Sequence, residues 1–551
     1  MPNTENPYGD WEQRRVIENS LFVEGVYSHA EPHLLKPEQV GYLRNADLRQ
    51  PGMRKRVRGT ASYGVPSNSL PLGLAGFVVP SEDARCLVGV WGNKIYRSPG
   101  DGSWVPWGTT VSLPSNVYYN VVQGQVTEWH GPPTSMTTTH QALFFAGISP
   151  WNANTNTSLA QVACDQDATV NASMQARAIA WWQGRLWCGN ISGTTYTPNS
   201  IAWSQIFNGH LFSTVWSLQV DPYSSDEITA LAPARSTKPR LYIFKEHSIW
   251  ALEPVWGSGV AIPTTENTLD TANSNLIMVS ERVGAVATRS VVYSGGGGDS
   301  DVFFWSHDGL RSIKRVEQDV AGGLSEPLSA PIQDVVDRVT EAYRHLITCE
   351  VWDDILYVAL PVDGSVALNT IVAYDLRKKE WVGEFPLSVQ AMTVFDFNDM
   401  DPYLYALYGY STTEDVLGTG ATGGYHCFRL FDEGSYLNPS ANPIVYREDT
   451  RAMTFGDMGL QKRWSDMEIR FASVLTAFTA TIYTQVDDFP WSLHEYRYVQ
   501  APASAVHTEK FSLIDLPVGE RIRFQVTARP EHDFAIRAIR AAAWVYEDLW
   551  T

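Results

Sequence analysis

One phrase returns five times along this chain: an apolar, aromatic strand, a tight polar turn, and a second apolar strand. The first copy is Leu87-Val88-Gly89-Val90-Trp91, a Gly92-Asn93 turn, then Lys94-Ile95-Tyr96. The second runs Ile179-Ala180-Trp181-Trp182, Gln183-Gly184, Arg185-Leu186-Trp187. The third is Leu241 to Phe244, Lys245-Glu246-His247, then Ser248-Ile249-Trp250. The fourth is Val302 to Trp305, Ser306-His307-Asp308-Gly309, then Leu310, and the fifth is Val351-Trp352, Asp353-Asp354, Ile355 to Val358. Each has the chemistry of a β-hairpin. From the second copy onward the turns lie roughly 45–65 residues apart, near or somewhat above the spacing of propeller blades. The first gap is wider, and Ala142 to Gly147 reads as half of a degraded copy inside it.

A run of hairpins that cannot bury its faces alone predicts an all-β fold with a β-propeller, and a scaffold before a catalyst. Composition agrees. Hydrophobic residues make up 44% of the 551, enough for a large core, and charged residues only 18%, below the usual ~25%. The 20 Trp and 25 Tyr suit pleated surfaces and protein contacts. The net charge of −19 argues against a general nucleic-acid binder, which carries a basic stripe. It is compatible with a channel whose wall repels phosphate and so does not hold it. Cys86, Cys164, Cys188, Cys349 and Cys427 form no CxxC pair, so buried reduced thiols are expected, in keeping with a reducing cytoplasm. Met1 to Asp10 lacks the apolar core of a signal peptide, and no run approaches a membrane span. The N-x-S/T triplets at Asn156, Asn171 and Asn190 are then chance matches.

Three regions differ in character. Residues 1–60 form an N-terminal segment, with a short helix expected over Trp11 to Leu21. Within it, Pro51-Gly52 marks a turn, followed by Arg54, Lys55, Arg56 and Arg58, the densest basic cluster of an acidic chain. Residues 61–444 read as the β-propeller, with long loops such as Trp151 to Asn171 and the four-glycine stretch in Ser294 to Ser300. One helix is expected inside it. Ile332, Val335, Val336, Val339, Tyr343 and Leu346 share a helical face, with Ser329 as N-cap and Pro331 in the first turn. Residues 445–551 read as a β-sandwich-like domain. Met467 to Phe471, Phe478 to Tyr483, Ile522 to Val526 and Ile536 to Ile539 all alternate with period two. This part is expected to lend a strand that closes the propeller ring.

Several phrases, in order, resemble the tail hub or nozzle proteins of short-tailed bacteriophages. They are Pro51 to Gly59 and the strand pair around Gly92 to Tyr96, then Ile201-Ala202-Trp203-Ser204 leading to Trp216. Ile243 to Trp250 follows, then Ile371 to Leu376 ending in Glu380-Trp381, then Gly456, Lys462 and the alternating strands to Trp544. The resemblance implies a homohexameric tube of propeller subunits below the portal and adaptor rings, carrying DNA out of the capsid. It implies tail fibre or spike proteins as further partners, and a virion location after assembly in the host cytoplasm. It carries no catalytic motif and no cofactor.

The chemistry in the residues is sparse. No HExxH, P-loop or GxSxG is present. Gly418 to Gly423 matches the letters of a dinucleotide fingerprint, but a polar stretch precedes it and a strand-like one follows, so it reads as a loop. His29 and His33 have no cysteine nearby and read as solvated or capping. Gly295 to Asp301 is the best ion candidate, through Asp299 and Asp301, yet it lacks further acidic ligands and reads as a mobile loop. Asp353-Asp354 reads as turn chemistry rather than an acid/base pair. Trp181-Trp182 reads as core or interface. Arg54, Lys55, Arg56 and Arg58 are candidates for a subunit or adaptor contact, with a solvated face and DNA phosphate as the other readings. No catalytic, cofactor or metal site is assigned. The expected function is a structural virion protein, not an enzyme: a ring-shaped hub or nozzle that conducts DNA. The alternatives are a propeller enzyme degrading polysaccharide and a receptor-binding tail protein.

Overall fold

A computed structural model describes residues 12–546, apart from 20–23, 51–52, 65–68, 80–83, 108–118, 130–135, 146–151, 155–157, 161–174, 193–196, 210–211, 214, 235–238, 257–267, 271–272, 296–299, 320–322, 398–401, 409–425, 433–443, 456–458, 473, 475, 501–505 and 530–532. Seven sheets each place their first strand on a common ring. These inner strands are Pro71–Val79, Val121–Trp129, Gln175–Trp182, Ile228–Ala234, Val291–Ser294, Thr348–Trp352 and Val389–Phe395. Each packs on the next, and Val389–Phe395 packs back on Pro71–Val79, so the wheel closes. The chain is an all-β propeller joined to a β-sandwich, and we number its blades one to seven in this order.

The recurring phrase is a hairpin in every copy. Trp91 pairs with Lys94, Trp182 with Arg185, Phe244 with Ile249, Ser306 with Gly309 and Trp352 with Ile355. Gln183 and Gly184 have φ of 50° and 72°, and Asp353 and Asp354 have 51° and 58°. Two consecutive left-handed residues match the twist of the flanking strands. The phrase does not hold one place in a blade, however. In blades three and six it joins the first and second strands, and in blades one, four and five the second and third. Its uneven spacing has this cause. Ala142 to Phe145, expected as half a copy, ends the strand Met136–Phe145, which pairs with the inner strand of blade two.

Closure depends on a small contact surface. At the seam between blades one and seven, a Cβ on Gly76 would lie 2.1 Å from the Phe395 ring, so only glycine lets the two inner strands approach. The outer strand of blade seven is Ala61–Ser62, paired with Cys427–Arg429. The closing strand therefore comes from upstream of blade one and not from the C-terminal region, which corrects the sequence expectation. Side chains also tie the blades together near their inner strands. Arg289, just before the inner strand of blade five, donates to the Leu346 carbonyl at 3.1 Å and the Gln390 carbonyl at 2.7 Å. These carbonyls precede or begin the inner strands of blades six and seven. Thr288 donates to the Thr229 carbonyl of blade four at 2.6 Å.

Blade six does not end at its fourth strand. Glu380–Phe385 pairs with Tyr42–Arg44, and the sheet continues through Tyr446–Asp449, Ile522–Ala528, Phe478–Val486 and Ser492–Val499, nine strands in all. Gly383 (φ 148°) permits the join, because a Cβ there would meet the Leu43 carbonyl oxygen at 2.7 Å. The opposing sandwich sheet holds Glu12–Asn19, Ala46–Asp47, Arg54–Arg56, Ala535–Tyr546, Lys462–Ala472 and Val506–Ser512. One apolar cluster runs from Leu356, Val358 and Trp381 of blade six into Ile469, Phe471, Ile482, Phe524 and Ile539 of the sandwich. The N-terminal segment is thus threaded through the sandwich and the wheel.

Two helical expectations are corrected. Trp11 to Leu21 contains a strand, Glu12–Asn19, which pairs along Ala535–Tyr546. A full-length ladder outweighs weak helical preference. The face from Ile332 to Leu346 is buried as expected, but in three short pieces: Ala330–Ile332, Gln333–Asp337 and Glu341–Leu346. Thr340, in extended geometry (φ −71°, ψ 108°), breaks it, and Val339 forms a bridge with Val362. Ser329 does not cap it, because its Oγ accepts the Leu310 N–H instead. A helix that the apolar pattern did not announce, Ile313–Asp319, follows blade five.

Candidate functional site

A concavity of about 670 Å³ lies between blades five and six. One wall is the helix Ile313–Asp319, which carries Lys314, Arg315 and Gln318. The other is the turn between the last two strands of blade six, which carries Arg377 and Lys379. The turn is built locally. The Asp375 carboxylate accepts the N–H groups of Arg377 and Lys378, both at 2.9 Å. Lys379 takes φ 61°, and Lys378 is tied back to the Leu48 carbonyl. Phe303, Leu328, Val351, Tyr374 and Leu376 supply an apolar floor. Burial pushes the Tyr374 hydroxyl up to about 12.

Cations dominate the rim. Lys314, Arg315, Arg377 and Lys379 are all exposed. Arg377 pairs with Asp354. Lys314, Arg315 and Lys379 make no side-chain hydrogen bond or ion pair among the described residues. The other carboxylate of the lining is committed. Asp301 accepts the Val302 N–H at 2.7 Å, the Lys314 N–H at 3.2 Å and the Ser312 hydroxyl. Three unpaired cations converging over an apolar floor, in a chain of net charge −19, form an anion-receiving site.

Sequence reading passed over this cleft. Arg377-Lys378-Lys379 is a visible run of cations, but Lys314-Arg315 lies more than sixty residues away and only the fold brings the two together.

The basic cluster that sequence did single out is placed differently. Arg54 and Arg56 are wholly buried. Arg54 pairs with Glu448, whose other oxygen accepts the Tyr446 hydroxyl at 2.7 Å. Arg54 and Glu448 stand on opposite sheets, so their bond crosses the sandwich core. Lys55 pairs with Asp533 at 2.9 Å and is partly exposed, as is Arg58. A surface contact through Arg54 and Arg56 is therefore closed off by their burial in the subunit.

Of the remaining candidates, Asp353 pairs with Arg49 and Asp354 with Arg377. Both sit at left-handed turn positions, as backbone chemistry requires. Asp301 serves the structure as described, and Asp299 lies outside the described residues, as do Gly418 to Gly423 and most of Trp151 to Asn171. His33 accepts from Arg521 at 2.9 Å, and among the described residues neither it nor His29 belongs to a cluster of metal-ligating groups. Trp181 and Trp182 pack in the wheel, Trp181 stacked on Phe144 and Trp182 tilted on Trp187. One titratable trio was missed. Glu246 and His247, in the turn of blade four, meet His307 in the turn of blade five. The His rings stack at 5.0 Å, and His307 Nε2 lies 3.1 Å from Glu246. Arg344 lies against His307 Nδ1 at 3.1 Å. The trio clasps two neighbouring turns.

No family model and no curated protein matches this chain. Among solved structures it is similar to BBS1N in complex with ARL6DN, at 13% identity and TM-score 0.36, covering 69% of this chain and 98% of that one. It is also similar to an exo-beta-1,3-galactanase from Phanerochaete chrysosporium with galactose, at 10% identity and TM-score 0.28, covering 88% and 100%. A glycoside hydrolase gives 9% identity and TM-score 0.23, covering 86% and 100%. Likenesses at this level carry no argument about activity.

Proposed function

We propose that the chain is a structural subunit of a short-tailed bacteriophage tail, of the hub or nozzle type. Copies stand in a ring, a hexamer, and DNA passes along the axis of the ring. The observation that supports this is the weld between wheel and sandwich. A nine-stranded sheet and one apolar cluster run through both. Domains meant to move against each other meet through smaller, more polar interfaces. A welded pair suits a load-bearing wall element. Obligate rings bury roughly 2,000–5,000 Å² per interface, and Lys55 and Arg58 keep the exposure an adaptor contact needs. Native mass measurement and negative-stain imaging test the reading, alone and with the adaptor. A ring is expected. A lone monomer at micromolar concentration, with no ring in the presence of adaptor, overturns it. Turnover of host surface glycans by the isolated chain would favour the enzymatic alternative instead.

A further inference from the structure

We infer that the cleft between blades five and six receives residues 547–551 of a neighbouring copy. This rests on the proposal that copies stand side by side. The residues after the last strand read Glu547-Asp548-Leu549-Trp550-Thr551: two adjacent carboxylates, then two large apolar side chains. The cleft offers the complement, with Lys314, Arg315, Arg377 and Lys379 on its rim and Phe303, Leu328, Val351 and Leu376 beneath. Nucleic acid fits it less well. Bases bind single-strand grooves by stacking on accessible rings, and the two rings of this lining, Phe303 and Tyr374, are only 8% and 5% exposed.

The register explains why the occupant comes from a second copy. In the strand Ala535–Tyr546, Ile536 lies beside Arg54 and Tyr546 beside Glu12. About ten residues at ~3.3 Å each separate those ends by roughly 33 Å. The cleft rim belongs to the first end. Lys378 holds the Leu48 carbonyl and Asp353 holds Arg49, two positions that follow Asp47, the partner of Lys55 beside Arg54. Five residues span at most about 18 Å. The segment thus starts from the strand end remote from the cleft rim, which favours a neighbour as its source.

Two measurements on the full chain test this. Self-association is followed by native mass and sedimentation for the parent, for Lys314→Glu with Arg315→Glu, for Glu547→Lys with Asp548→Lys, and for all four changes together. Lys314 and Arg315 are exposed, and circular dichroism checks the folding of every variant. Each charge reversal is expected to weaken association at least tenfold, and the fourfold variant to recover it. A labelled peptide of residues 546–551 is expected to bind the parent, to bind the Lys314→Glu, Arg315→Glu variant at least tenfold more weakly, and to lose affinity with salt. Rings that form equally well in all variants sink this inference and leave the ring proposal standing. Peptide binding that depends on Lys314 and Arg315, in a chain that forms no ring, supports the cleft assignment and counts against the ring. An oligonucleotide that binds through Lys314 and Arg315 where the peptide does not overturns it.

Discussion

Replacing Arg54 by Met should open the sandwich by local unfolding. Arg54 and Glu448 are each 0% exposed and bonded across two sheets. Removing the guanidinium leaves a carboxylate in the core, still bonded to the Tyr446 hydroxyl. Breaking one side of such a pair costs about 3–5 kcal/mol. At about 1.4 kcal/mol per tenfold, amide exchange in Lys462–Ala472 and Ala535–Tyr546 should accelerate roughly a hundredfold to a few thousandfold. Hydrogen exchange by mass spectrometry on the intact chain reads this strand by strand, with blades three and four as internal controls. Arg54→Met with Glu448→Leu and Tyr446→Phe should recover most of the loss, because the ion pair and the hydroxyl bonded to it leave together. Additive costs in the triple variant, or a single-variant loss below about 1 kcal/mol, would refute the reasoning that these groups act as one buried unit.

Gly76→Ala should cost about 1–3 kcal/mol by overpacking the seam against Phe395, and Phe395→Leu should return part of it; thermal melts of both variants decide. Burial pushes the Glu350 carboxyl up to about 7, with a single backbone bond from Val351 at 3.3 Å to oppose it. Its contribution to stability is full below the ordinary carboxylate value and lost as pH rises through about 7. Glu350→Gln should therefore raise the melting temperature at pH 8, by up to about 3 kcal/mol of stability, with the gain gone below pH ~4.5. Arg289→Ala removes two bonds from a charged donor and should cost about 2–4 kcal/mol, read as faster exchange in Thr348–Trp352 and Val389–Phe395.

The hairpins were legible because each turn carries its own chemistry, as Asp353-Asp354 and Gln183-Gly184 do. The wheel followed from their number. Period-two alternation marked Phe478 to Tyr483 and Ile522 to Val526 as sandwich strands for the same local reason. What sequence hid is what only long-range pairing decides. Glu12–Asn19 has a mixed pattern and becomes a strand because Ala535–Tyr546 offers it a free edge. Arg54 and Arg56 read as surface charge, since nothing nearby in sequence points to Glu448. The face from Ile332 to Leu346 is correctly apolar, but its period cannot show that Thr340 interrupts the helix. The cleft pairs Lys314-Arg315 with Arg377-Lys379 across two blades, a meeting written in topology alone.

Arg289 has a geometric consequence. A guanidinium bonded from blade five to blades six and seven ties inner strands of one subunit to each other, as a rivet does. If copies of this protein surround genomic DNA, the bore is the gap they enclose together, and its diameter is fixed by how many stand in the circle and how they lean.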